Sequence, residues 1–270
     1  MDKKKRFEQI VADIKNIKIQ GARNIAKSSL QAYSLIPTKE SKRKLLAARP
    51  TEPMMKNVLD MAEKGILSNL IQNHFDIAQD KINNNIIKII KNGDIIFTHC
   101  HSTNVVNALI YAKRHGKKFR VYNTETRPLF QGRTTASELS KAGIKVTMFV
   151  DSAAAFAIEK ENKKDKIYST KIFLGADALL KTGAINKIGS GMISELATKH
   201  NIPVYIVADS WKSTKSKVPI EQRKLNEVWG KAPKKIKIIN PAFEFVPKKY
   251  IKKVVTELGA LNYHDFLKKV

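Results

Sequence analysis

Cysteine is nearly missing from this chain, with Cys100 the single thiol among 270 residues. One thiol cannot build an internal disulfide framework or a multi-cysteine zinc site, so a reducing, intracellular setting is expected. Long apolar runs are missing as well. No stretch reaches the ~18 residues that a membrane-spanning helix needs. The opening segment from Met1 to Ile10, charged from Asp2 to Arg6, lacks the apolar core of a secretion signal. The expectation is a cytoplasmic protein with no membrane partner. Acidic residues are scarce, 24 against 50 Lys and Arg, which leaves a net charge of +26. That excess favours anionic partners: phosphorylated small molecules, nucleic acid or an acidic protein. No Gly-x-Gly-x-x-Gly follows the first strand-like run and no Walker A sequence occurs, which argues against dinucleotide and P-loop chemistry.

Hydrophobic residues make up 43% of the chain, enough for a core that needs neither disulfide nor metal. Up to about residue 91 the pattern is helical. Phe7, Ile10, Val11, Ile14 and Ile17 recur at helical spacing, and similar stretches run from Ile25 to Leu35, Asn57 to Ile66 and Ile71 to Ile90. Gly21, Pro37, Pro50, Pro53 and Gly65 separate them. After Gly93 the pattern changes to short β-branched runs at Asp94 to Thr98, Phe119 to Tyr122, Ile144 to Val150, Ile172 to Leu174, Val204 to Val207 and Ile236 to Ile239. Helical stretches lie between them, the rhythm of parallel strands joined by crossover helices. The expected fold is α/β: a helical N-terminal domain over residues 1–91, then a Rossmann-like open parallel sheet over 92–270. An eight-unit barrel needs more length than this second part offers.

Open parallel sheets bind ligands beyond the carboxyl ends of their strands, so the residues just after each run carry the functional expectation. They are His99-Cys100-His101-Ser102, Thr124-Glu125-Thr126-Arg127, Asp151-Ser152, Gly175-Ala176-Asp177, Asp209-Ser210-Trp211-Lys212 and Asn240-Pro241. Some of these are ordinary helix caps. A cysteine and a lysine are not. A lone cysteine is most often a small buried hydrophobe, but a place between a strand end and a helix N-terminus predicts a lowered thiol pKa and an exposed sulfur. His99 and His101 flank Cys100 on opposite sides of an extended chain, so a metal site there is not expected. Asp177 lies among apolar neighbours, where burial raises a carboxyl pKa and suits a proton donor. Asn186 and Lys187, near a predicted helix start, suit a phosphate or sugar hydroxyls.

Several of these segments resemble one family. Thr98-His99-Cys100-His101-Ser102, Thr124-Glu125-Thr126-Arg127-Pro128 with Gln131-Gly132, Gly175-Ala176-Asp177, Gly183, Asn186-Lys187-Ile188-Gly189 and Asn240-Pro241-Ala242-Phe243 are similar to those of archaeal ribose 1,5-bisphosphate isomerases. These enzymes are grouped with methylthioribose-1-phosphate isomerase and the regulatory subunits of translation initiation factor 2B, and the resemblance runs from about Ile17 to Gly259. It implies that Cys100 removes a proton, that Asp177 donates one, and that Gly21, Ala22, Arg23, Arg49, Asn186, Lys187 and Lys212 bind the phosphorylated sugar. Two departures stand out: Gln20 occupies a position where the family usually has Arg, and Ala47-Ala48 precede Arg49 where it usually has Glu-Thr.

The reaction so implied converts ribose 1,5-bisphosphate to ribulose 1,5-bisphosphate, an aldose-ketose isomerisation that calls for no metal and no cofactor. The resemblance also implies a homo-oligomer, a dimer or a trimer of dimers, and the short helices around Met54, Met55, Leu59 and Leu67 are expected to contribute to self-association. The rival reading is a non-catalytic regulatory subunit that binds a sugar phosphate or nucleotide. In that branch the cysteine is commonly replaced, so Cys100 with Asp177 favours an enzyme. Nucleic acid is not the expected partner. Lys234, Lys235, Lys237, Lys248, Lys249, Lys252 and Lys253 gather charge, but only Phe243, Phe245 and Tyr250 interleave with them.

Overall fold

A computed structural model describes residues 2–159 and 168–270 of the chain. Five helices come first: α1 (Lys3–Lys15), α2 (Ala22–Leu35), α3 (Lys39–Ala48), α4 (Pro53–Glu63) and α5 (Ser68–Ile89). Local chemistry sets their ends. The Asp2 side chain accepts from the Lys4 N–H at the start of α1, Thr38 accepts from the Ser41 N–H at the start of α3, and Pro53 opens α4. Phe7, Ile10 and Ile14 are the buried stripe of α1, whereas Ile17 lies beyond its end with φ +62°. Helix α3 has no separate sequence expectation because Leu45 is its one fully buried apolar side chain, with Leu46 and Ala48 only partly buried against the core.

Helix α5 belongs to both parts of the molecule. Its first half packs Ile71 and Phe75 against Ala26, Leu30 and Met54, and its second half packs Ile82 and Ile86 against Val105, Leu109 and Val121 beside the sheet. Met54, Met55 and Leu59 are buried in the chain's own core. This corrects their expected role in association, because a side chain that fills the helical core presents no surface to a partner. Of that group only Leu67 is exposed.

The second part runs β1 (Ile95–Thr98), α6 (Thr103–Arg114), β2 (Arg120–Thr124), α7 (Gln131–Lys141), β3 (Lys145–Phe149), α8 (Ala154–Ile158), β4 (Lys171–Leu174), β5 (Ala178–Leu180), β6 (Gly183–Lys187), α9 (Ser190–Lys199), β7 (Val204–Val207), β8 (Phe243–Pro247), β9 (Lys253–Thr256), β10 (Gly259–Leu261) and α10 (Tyr263–Leu267). The main sheet has the order β10-β9-β7-β4-β1-β2-β3, parallel except for the β9–β10 pair. Its central strands are apolar on both faces: Ile96 packs with α5 and α6, while Phe97 packs with Ala157 and Ile193 on the other side. The Rossmann-like expectation is therefore met, with a Rossmann strand order.

One strand differs from expectation. Ile236 to Ile239 is not a strand, and Ile236 and Ile239 are 47% and 69% exposed. The strand that continues the sheet beside β7 is β9, whose Val254 and Val255 are fully buried. β-branched composition alone does not bury a segment lying between Pro233 and Pro241 on the surface. A second, antiparallel sheet, β5-β6-β8, stands beyond the end of β4 and presents Asn186 and Lys187 from the end of β6.

Candidate active site

From β1 the chain winds outward through β2 and β3, and from β4 it winds the other way through β7 and β9, so the winding reverses between β1 and β4. A crevice opens at such a switch point. Cys100 follows β1 and Asp177 follows β4, so the two stand on either side of it. All nine expected residues line one cavity there: Cys100 and Asp177; Gly21, Ala22 and Arg23 at the start of α2; Arg49 at the end of α3; Asn186 and Lys187 from β6; and Lys212 beyond β7. Gly175 permits the close approach of the two strand ends, since a Cβ there would lie 2.7 Å from Ser102 Oγ.

Cys100 has φ +69°, a left-handed backbone that costs a non-glycine residue about 1 kcal/mol or more. Two hydrogen bonds hold it: its N–H donates to Thr126 Oγ1 at 2.9 Å and its carbonyl accepts from Thr135 Oγ1 at 2.9 Å. With the Thr135 proton so used, His101 Nδ1 donates to Thr135 Oγ1 at 3.1 Å. His99 is a buried tie: Nε2 donates to the Ile188 carbonyl at 2.7 Å and Nδ1 accepts from the Thr124 hydroxyl, while burial holds its pKa low. Ser102 caps α6, whose N-terminus faces the cavity. No side chain caps α2 and its first turn carries no acid, so a second helix N-terminus is available to an anion.

Burial pushes the Cys100 thiol up to about 11; the Lys187 charge opposes it, and Asp177 and Asp151 add to it. The expected lowered pKa is thereby corrected, because desolvation outweighs the nearby helix end. Burial likewise raises Asp177, against the charges of Lys212, Lys187 and Arg49. Lys212 Nζ donates to the Ala176 carbonyl at 2.5 Å, Lys187 Nζ sits 5.1 Å from the centre of the Phe243 ring, and Asn186 Nδ2 donates to Ser190 Oγ at 2.8 Å. Arg49 meets Glu221 at 3.0 Å, and Arg23 pairs with Asp76 over the Phe75 ring. Gln20 turns back to the Ile17 carbonyl at 3.1 Å.

Other strand-end residues hold the frame. Asp151 accepts from the backbone N–H groups of Thr126 and Arg127, and Glu125 pairs with Arg133 at 3.1 Å. Among the described residues, His74, Asp209 and Glu257 could together reach a metal ion. They are already engaged: His74 Nε2 lies 3.1 Å from both Asp209 oxygens, its ring stacks on Trp211, and Glu257 accepts from the Ser210 N–H. Glu52, Arg223 and Phe243 also line the cavity and fall outside the sequence expectation. For Glu52, the available signal was a carboxyl between Pro50 and Pro53, three residues after Arg49.

The Initiation factor 2 subunit family matches residues 20–263, and the chain belongs to that family. It is 33% identical to the ribose 1,5-bisphosphate isomerase of Methanocaldococcus jannaschii, over 92% of this chain and 89% of that protein. It is 31% identical to the methylthioribose-1-phosphate isomerase of Thermosipho africanus, over 98% of this chain and 90% of that protein. Among solved structures, translation initiation factor eIF-2B of Pyrococcus horikoshii OT3 shares the fold with a TM-score of 0.83 at 23% identity, covering 95% of this chain and 97% of that one.

Proposed function

We propose, from the premise of membership in this family, that the chain is a sugar-phosphate isomerase that converts ribose 1,5-bisphosphate to ribulose 1,5-bisphosphate. One observation carries the reading: a thiol within reach of the Lys187 charge and a carboxyl of raised pKa share a crevice with five cationic side chains and two helix N-termini. Arg23 pairs with Asp76, Arg49 with Glu221, and Arg223 with Glu221 and Glu227, which leaves Lys187 and Lys212, without a carboxylate partner among the described residues, as one cation for each of two phosphates. Methylthioribose 1-phosphate, the substrate named for the other isomerase relatives, has one phosphate and an apolar tail. The cations favour the bisphosphate.

In this mechanism protonated Asp177 donates to the ring oxygen as the bond from that oxygen to C1 breaks. Cys100, as thiolate, takes the C2 proton, and the electron pair left behind forms the C1–C2 double bond of an enol. The enol then passes its hydroxyl proton to Asp177 while C1 takes the proton from Cys100, which leaves a ketone at C2 and the protein as it began. Lys187 is the charge that favours the thiolate. Protonation of Asp177 removes a charge that opposes it.

Residues 1–91 act as a cap over the catalytic unit 92–270, with α5 shared between them. The assembly is a dimer or a trimer of dimers, for which the exposed Met148, Val150 and Phe156 beside the edge strand β3 supply an apolar face. A monomeric mass at micromolar concentration would remove that part of the reading. The decisive assay couples purified protein and ribose 1,5-bisphosphate to detection of ribulose 1,5-bisphosphate, with methylthioribose 1-phosphate alongside. Turnover of the second substrate alone would overturn the assignment.

A further inference from the structure

The turn between α3 and α4 concentrates buried polar atoms that have no hydrogen-bond partner: Arg49 Nε, Thr51 Oγ1 and Glu52 Oε2. Glu221 Oε2 lies 3.0 Å from the other end of the Arg49 guanidinium and pairs with its charge. Buried polar groups are nearly always satisfied, and of these residues Arg49 and Glu52 line the cavity, so the two exceptions side by side on its wall mark a place that a ligand completes. Glu52 is the centre of it. It is 4% exposed and lines the cavity, and although it occupies the N-cap position of α4 its side chain makes no capping bond. Its Oε1 stands 3.9 Å from Arg49 Nε, too far for a direct hydrogen bond. The last torsion of a glutamate is soft, so either oxygen can turn to the cavity.

We propose that Glu52 contacts the substrate, its carboxyl holding a ribose hydroxyl beside Arg49. A hydroxyl can accept from Arg49 Nε and donate to the carboxyl at the same time, which a phosphate oxygen cannot do. The surroundings agree. Burial and the Asp177 charge push Glu52 up to about 8, with Glu221 adding to this and Arg49 and Lys212 opposing it. At neutral pH the carboxyl therefore keeps its proton and adds no negative charge to a cavity meant for anions. The inference rests on the functional reading only in taking the ligand to be a ribose 1-phosphate, the core common to both candidate substrates.

The test is calorimetric titration of the full chain with ribose 1-phosphate and with its 2-deoxy and 3-deoxy analogues. Wild type should bind one analogue about 10-fold or more weakly than the parent. In Glu52→Ala that ratio should collapse to within about twofold, and in Glu52→Asp, which withdraws the carboxyl by one methylene, it should fall similarly. Glu52→Gln, still able to hydrogen-bond, should retain most of it and should lack the weakening of parent binding expected of wild type above pH 8, where Glu52 ionises. Wild type that fails to bind ribose 1-phosphate, or that does not discriminate, would overturn the proposal. So would an alanine or aspartate variant with wild-type ratios. Turnover of ribose 1,5-bisphosphate by wild type is scored separately: its absence counts against the isomerase reading, whereas intact turnover with unchanged ratios in the variants counts against Glu52 alone.

Discussion

The two walls of the cavity are built differently. On the strand side the protein bonds its own groups: Cys100 is fixed through Thr126 and Thr135, Lys212 through the Ala176 carbonyl, and Asn186 through Ser190. On the helical side Arg49 Nε and Glu52 Oε2 are buried without hydrogen-bond partners among the described residues, and α2 begins without a side-chain cap. The strand wall is thus organised before a ligand arrives, whereas the helical wall keeps two polar atoms for a ligand to meet. Groups that move protons need fixed geometry, and groups that bind can be satisfied on binding. Proton transfer and phosphate binding are accordingly expected to depend on the first wall, and recognition of the ribose hydroxyls on the second.

The largest test of that division is Cys100→Ser, with Asp177→Asn beside it. Serine has nearly the volume of cysteine but ionises far less readily, so turnover should fall by about 10² to 10⁴. Binding of ribose 1-phosphate should change little in either variant. Turnover close to wild type in the serine variant, measured in the coupled assay, would remove Cys100 as the base. Loss of binding with retained turnover at saturation in the asparagine variant would make Asp177 a ligand instead of an acid.

Next in size are Lys187→Met and Lys212→Met. Both lysines are buried, at 7% and 8% exposure, so a phosphate bound to either would be met in a desolvated setting where a charged hydrogen bond is worth about 10-fold or more in affinity. Either variant should raise KM by that order. Lys212→Met also removes the charge that most opposes the raised pKa of Asp177, so the pH at which activity declines as Asp177 ionises should move upward. An unchanged KM in both variants would place the phosphates elsewhere.

How much of this was legible in the sequence follows from what each feature depends on. The positions of Cys100 and Asp177 were legible because both follow short apolar runs, and strand ends of a parallel sheet meet at its switch point whatever the details. Ile236 to Ile239 misled because a β-branched run looks alike inside and outside a sheet, while β9 was hidden by Lys252 and Lys253 at its start. The Cys100 pKa was misjudged because the local cue, a helix N-terminus, is weaker than a burial that only tertiary packing reveals. Glu52 had only a faint local cue for the same reason: its character comes from burial and then from Asp177 and Glu221, more than a hundred residues away in the chain.

That remote origin gives a smaller effect on stability. In the unfolded chain Glu52 ionises near 4.5, and in the folded chain near 8, so the folded state binds the extra proton between these values. Its contribution to stability is complete below 4.5 and is lost as pH rises toward 8. The slope is at most about 1.4 kcal/mol per pH unit for one group. Glu52→Gln cannot ionise, so denaturant midpoints followed from pH 5 to 8 should fall less in this variant than in wild type. Parallel curves would mean that the folded environment leaves the carboxyl unperturbed.

The smallest effect is expected from the lysines outside the cavity, and it tests what the charge of +26 is for. Lys248, Lys249 and Lys252 are exposed, in contrast to the buried Lys187 and Lys212. Exposed charges are screened by salt within about 10 Å at 0.1 M ionic strength, and each contributes little to a site it does not touch. Replacing all three by Gln should therefore leave isomerase turnover within about twofold of wild type. It should also leave RNA retention weak and unchanged across a salt series. If nucleic acid were the partner, the order of effects would reverse: the triple variant would bind RNA less tightly, and the log-log salt slope would drop by roughly one for each phosphate that a lysine no longer neutralises. A steep wild-type slope that flattens only in the triple variant would move the function from the crevice to the surface. Equal, shallow slopes in both proteins, together with a raised KM in Lys187→Met, would keep the working charges inside the cavity, where low dielectric makes a few cations count for more than the many outside.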